Sequence, residues 1–241
     1  MRFFAALPLL LVASLLASPV KIAAPLEEPG GWKYRELEIE GWTVLVEQQL
    51  YAKTALRTQV LDLMKIKLWE IATRLPAPAV TRLRQVKLRM HLAHAANNGA
   101  AYHPSADWLR EHAMPEDWAL GIEFGNAENF LGWSQQQPAM VLHELAHAWH
   151  HQVLGYAHEG VLQSFAATRD AGKLEEVLYV SGGSQRAYAL NNDKEFFAEM
   201  SEAWWSTNDM YPFVRGELLD GFPDIAKHMD AWWQLPIPDS Q

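Results

Sequence analysis

Cysteine is absent from all 241 residues, which excludes disulfides, thiolate metal sites and cysteine nucleophiles together. Any metal bound strongly here must sit on histidine, aspartate or glutamate. Positive charge is also scarce. Twenty Lys and Arg face 29 Asp and Glu, for a net charge of −9, and no basic stripe runs along the chain, so a nucleic-acid partner is disfavoured. Long apolar runs are missing too: the longest, Phe3 to Leu16, is about 14 residues, short for a bilayer span but suited to a secretory signal. It follows Arg2 and ends at Ala17 and Ser18, so residues 1–18 read as a signal peptide. An uncleaved anchor is the alternative, because Leu stands three residues before the cleavage point. Once the signal is cut, no stable membrane insertion is expected, and export without cysteine suits a periplasmic or secreted bacterial protein.

What is present supports one sizeable core. Hydrophobic residues make up 49% of the chain and there are 11 Trp, enough for a single domain over 32–241. Residues 19–31, with Pro19, Pro25, Pro29, Gly30 and Gly31, read as a linker. Alternation of Leu37 and Ile39 with Val44 and Val46 about Glu40-Gly41 predicts a hairpin. An amphipathic helix is expected over Lys53 to Leu75, a short helix over Ala79 to Gln85 and a strand over Val86 to Leu92. Ala119 to Phe124 is a further strand candidate, the one expected at the sheet edge where extended substrate would pair. A second hairpin is expected about Ser181-Gly182-Gly183-Ser184, and Asn191 or Asn192 is expected to cap a helix running to Trp205. The class is α+β: a small mixed sheet on a central helix, with a mainly helical C-terminal part. The pairs Trp204-Trp205 and Trp232-Trp233 read as core.

The central helix, expected from Ser134 or Gln137 to Leu154, carries His143-Glu144-Leu145-Ala146-His147. Histidines four apart lie on one helix face, about 6 Å apart along the axis, so their imidazoles can share one ion. Glu144 then stands where a carboxylate can reach water on that ion. This HExxH pattern carries a zinc mechanism, with two histidine ligands and a glutamate base. A catalytic zinc takes three protein ligands, so one is missing. The metzincin solution would need Gly at 149 and His at 153; Trp149 and Val153 stand there, which excludes it. His150 and His151 lie too far along the axis from His143. His91, His94 and His103 have no spacing that pairs them as ligands and read as structural or surface residues. A carboxylate from another helix remains, and Glu195 is the strongest candidate. Glu199, four residues on, could accept a hydrogen bond from the distal nitrogen of a ligating histidine. Alternatively, Glu195 is a capping-box glutamate three residues after Asn192.

His143-Glu144-x-x-His147, followed by Tyr188-x6-Glu195-x3-Glu199, resembles the gluzincin metalloproteases of the anthrax lethal factor and Pro-Pro endopeptidase type, and related secreted bacterial and fungal zinc-peptidase-like proteins. The resemblance covers about residues 133 to 214. It implies a zincin-like fold and one Zn2+ ion on His143, His147 and Glu195. It further implies Glu144 as general base, Tyr188 as hydrogen-bond donor in the transition state, Glu199 behind the ligands, and a peptide or protein as substrate. The competing expectation is a catalytically silent zinc-binding module, secreted or at the cell surface. Substrate preference and oligomeric state stay open.

Overall fold

A computed structural model describes residues 21–234; the expected signal peptide lies outside them. Its centre is a six-stranded mixed sheet of β1 (Lys21–Glu28), β2 (Trp32–Ile39), β3 (Trp42–Glu47), β4 (Leu88–Met90), β5 (Ala100–Tyr102) and β6 (Ile122–Phe124), in the order β1-β2-β3-β4-β6-β5. The first three strands are antiparallel, β3, β4 and β6 are parallel, and β5 closes the far edge antiparallel to β6. The hairpin between β2 and β3 forms where the alternation predicts it. Glu40 and Gly41 both take positive φ, 50° and 87°, as a two-residue turn matched to strand twist requires.

Two strands differ from expectation. Most of the supposed linker is strand, since Lys21–Glu28 pairs along β2. Pro25 is tolerated there because β1 is an edge and its register shifts between Ile22 and Pro25. The expected edge strand, within Ala119 to Phe124, is instead interior: β6 lies between β4 and β5. The edge is Ala100–Tyr102, only three residues long and set in a turn-rich segment, so it shows too little alternation to be recognised.

The period of two sorts the strands' side chains onto two faces. Val44, Val46, Leu88, Met90, Ile122 and Phe124 point one way and enter the main core. Covering that face are α2 (Thr54–Arg74), which follows a short α1 (Gln48–Ala52), then α3 (Ala77–Leu83), α5 (Ala127–Trp133) and the central α6 (Met140–Trp149). Tyr34 and Leu45 point the other way, into a smaller cluster with Leu109 of α4 (Ala106–Glu111) and Trp118. Arg89 and Glu123, also buried, share this second face by alternation.

The central helix starts at Met140 rather than at Ser134 or Gln137. Ser134 closes α5 instead, its amide bonding to Phe130 O. Beyond Trp149 the chain widens into one π-type turn, His150–Leu154, ended by Gly155 at φ 79°. The C-terminal part comprises α7 (Glu159–Asp170), a minimal hairpin of β7 (Val177–Leu178) and β8 (Ser184–Gln185), a 3-10 turn (Tyr188–Leu190), α8 (Asp193–Trp205), α9 (Arg215–Gly221) and α10 (Pro223–Trp232). Trp233 stacks on Trp149 and Phe197 at centroid distances of 5.3 and 5.8 Å. Trp149 Nε1 donates to Trp232 O at 2.7 Å. Tryptophan thus joins α6, α8 and the C-terminal helix from within. No described helix is long and apolar enough to cross a membrane.

One ion pair ties the first strand to the second face. Arg89 donates from Nε and Nη2 to the two oxygens of Glu28, at 3.0 and 2.9 Å, and Trp118 Nε1 donates to the same carboxylate at 3.0 Å. All three side chains are buried. Removing one member of such a pair leaves an uncompensated charge in the interior. Glu28→Ala is therefore expected to cost about 3–5 kcal/mol, read as a lowered urea midpoint at neutral pH; an unchanged midpoint would contradict it.

Candidate metal centre

α8 packs across α6, and its start decides the site. Asn192 caps the helix, its Oδ1 accepting from Lys194 N at 2.9 Å and Glu195 N at 3.0 Å. With its amide satisfied by the cap, Glu195 turns its carboxylate to α6 rather than back to the cap as a capping-box glutamate would. There Glu195 Oε2 lies 3.1 Å from His143 Nε2 and 3.2 Å from His147 Nε2, and the two imidazole nitrogens are 3.1 Å apart. Three atoms, two from α6 and one from α8, form a nearly equilateral triangle.

That triangle fits a small divalent ion. Donors about 2.0–2.1 Å from a tetrahedral zinc lie about 3.3 Å from one another. The tautomer also fits: His143 Nδ1 lies 2.6 Å from Glu202 Oε1, and an Nδ1–H donated to that carboxylate leaves the Nε2 lone pair facing the triangle. The surroundings of His143 favour its charged form. Burial opposes a charged His143, yet hydrogen bonds to Glu195 and Glu202 outweigh it and raise its pKa well above the ordinary value. Burial likewise opposes a charged Glu195, but hydrogen bonds from His143 and His147 hold it far below the carboxylate range.

The residue behind His143 differs from expectation. Glu202 makes the hydrogen bond assigned to Glu199, whose Oε1 is 3.7 Å from the same nitrogen. Positions 195, 199 and 202 follow the i, i+4, i+7 spacing of one helix face, so the signal for Glu202 was present in the sequence. Glu199 is buried, with Oε2 lacking a hydrogen-bond partner. Its pKa is pushed well up by burial and by the charge of Glu202.

Glu144 is buried beside the triangle, and Tyr102 N on β5 donates to its Oε2 at 2.7 Å. The main-chain edge of the sheet thus holds one oxygen of the carboxylate. A cleft of about 400 Å³ opens here, lined by Gly99, Ala100, His143, Glu144, Tyr188 and Asp209 among others. Tyr188 sits on the 3-10 turn, half exposed, its ring centroid 6.4 Å from that of His143. Burial, then the charge of Glu195, raises its pKa, so the hydroxyl keeps its proton as a donor.

No family model, no curated protein and no solved structure matches the chain.

The other histidines fall away from this triangle. His150 is buried against Tyr156 and Phe197, with neither nitrogen hydrogen-bonded, and burial lowers its pKa to about 3. His151 Nδ1 lies 2.9 Å from the Tyr102 hydroxyl. His91, His94 and His103 gather on the opposite face of the sheet around Glu123. The sequence had offered no such association.

Because Glu202 orients His143, Glu202→Gln is expected to weaken zinc affinity about 10–100-fold while leaving the fold intact. Competition against a chromophoric chelator measures it; wild-type affinity would show that the bond to Glu202 does not position the ligand.

Proposed function

We propose that this chain is a zinc-dependent endopeptidase of the gluzincin type with a zincin-like catalytic domain, acting outside the cytoplasm on peptide or protein substrates. The convergence of His143, His147 and Glu195 on one triangle, with Glu144 beside it in an open cleft, carries the reading. One Zn2+ ion would be held by those three residues. When bound, zinc supplies Lewis acidity, polarising a carbonyl and lowering the pKa of water toward 7.

The chain's own groups supply the remainder. Glu144, one oxygen fixed by Tyr102 N, takes the proton from the attacking water and returns it to the leaving amine. The Tyr188 hydroxyl, kept protonated, donates to the carbonyl oxygen as negative charge develops there. Ala100 begins the β5 edge, two residues before Tyr102, and its backbone polar groups share the direction of those at Tyr102. It lines the cleft, so an extended peptide can add to this edge by main-chain hydrogen bonds.

Two variants test the proposal against a silent zinc-binding module. Glu144→Ala is expected to retain stoichiometric zinc but lose about 10²–10⁴-fold in peptide-library turnover, and Glu195→Ala to lose the zinc bound at this triangle. A wild-type chain that binds zinc here but cleaves nothing would favour the silent module. Undiminished turnover by Glu144→Ala would sink the mechanism.

A further inference from the structure

The sheet's second face holds an independent constellation. Alternation along β4 and β6 sends Arg89 and Glu123 away from the HExxH helix, and His91, two residues after Arg89, follows them. His91 N bonds to Phe124 O at 2.9 Å, which extends the pairing of β4 with β6. His91 and Glu123 are fully buried, and His94 is partly exposed. His91 Nδ1 lies 3.8 Å from Glu123 Oε1, and His94 Nδ1 is in close contact with the same oxygen. The other oxygen, Oε2, is 3.1 Å from His103 Nε2 and accepts from Asn97 Nδ2 at 3.2 Å.

The hydrogen bonds in this cluster leave one atom over. His91 Nε2 is 3.1 Å from the Tyr34 hydroxyl, but His91 Nδ1 has no hydrogen-bond partner despite complete burial. Neither tautomer relieves this: at 3.8 Å the carboxylate is too far to accept an N–H. An ion about 2.0–2.1 Å from each of two donors can span that gap. The three donor atoms of His91, His94 and Glu123 all lie within 4.8 Å of one another.

We propose that His91, His94 and Glu123 form a second metal site, taking a divalent transition cation such as zinc, distinct from the triangle on α6 and α8. Two imidazoles in a three-donor set favour such an ion over calcium or magnesium, which prefer oxygen. Tyr34 orients His91, while His103 and Asn97 hold the second oxygen of Glu123, as groups behind a metal's ligands do. The ion's role is structural. It pins the segment after β4 to β6, where the backbones already approach so closely that a Cβ on Gly125 would meet Asn97 O at 1.9 Å. His94, the one partly exposed ligand, marks the side from which the ion enters.

Zinc alone is the probe, on the full chain stripped by chelator and dialysed against Zn2+, with metal counted by plasma mass spectrometry. Wild type is expected to hold two equivalents, His147→Ala/Glu195→Ala one, and the same chain with His94→Ala none. One equivalent in wild type falling to none in His147→Ala/Glu195→Ala, with unchanged circular dichroism, would overturn the proposal. One equivalent in both would support this site and count against the peptidase centre, so the two ideas fail separately. Should the His94 variant not fold, zinc-edge anomalous diffraction from wild-type crystals decides: a peak among His91, His94 and Glu123 supports the site, and a peak only at His143, His147 and Glu195 refutes it.

Discussion

The packing of α8 against α6 is the contact on which the candidate centre depends. A helix that supplies two imidazoles at i and i+4 cannot complete a three-donor site by itself. It needs a carboxylate delivered from outside at the right height and rotation. Three features fix that delivery: the Asn192 cap sets where α8 begins, the Glu202 bond to His143 sets the lateral registration, and Trp233 stacked between Trp149 and Phe197 holds the helices together from within. Cap, hydrogen bond and aromatic packing act on different points of the same interface. A small displacement at any one of them would open the triangle, whose sides are 3.1 to 3.2 Å.

Two-residue alternation in the sheet has a consequence beyond the core. One set of side chains builds the floor under α6, and the other set, starting from the same strands, assembles Glu123 and its histidines together with the Glu28–Arg89 pair. β5 and its continuation serve both faces. Tyr102 N holds Glu144, and the next residue, His103, contacts Glu123 on the reverse side. The edge strand that borders the cleft is therefore anchored from behind by a polar network, which gives its backbone a fixed position.

Legibility in the sequence followed the range of the signals. The first hairpin, the long α2 and the capped α8 were readable because their signals are local: alternation, apolar spacing with a proline stop, and an Asn cap. The helix carrying His143 and His147 is equally readable, and Glu195, singled out by ligand chemistry rather than by conformation, does lie beside both histidines. What failed was non-local. Lys21–Glu28 reads as linker because Pro25 and the flanking Pro19, Pro29, Gly30 and Gly31 are local signals, whereas its strand character comes from pairing with β2. The edge position of Ala100–Tyr102 depends on sheet order, which three residues cannot reveal. The grouping of His91, His94 and His103 was invisible for the same reason: it arises from strand β6, some twenty to thirty residues away, carrying Glu123 between them. Glu202 is the exception: its i+7 position on the face of Glu195 and Glu199 is a local signal.

The crowding of acids behind the histidines also bears on the fold's charge balance. Besides Glu195 in the triangle, Glu199, Glu202 and Asp209 lie close to it, and Glu199 and Glu202 are almost wholly buried. Charged carboxylates in such a place oppose folding unless paired, and burial raises the pKa of Glu199, Glu202 and Asp209. A proton on Glu199 would relieve part of that opposition, and the raised His143 pKa acts in the same sense. A divalent cation at the triangle would take over that second task, displacing the histidine's proton while supplying twice its charge. Such a site couples metal affinity to stability through shared electrostatics. The excess of carboxylates that looks costly in isolation is what lets α8 be held against α6 by charge as well as by packing.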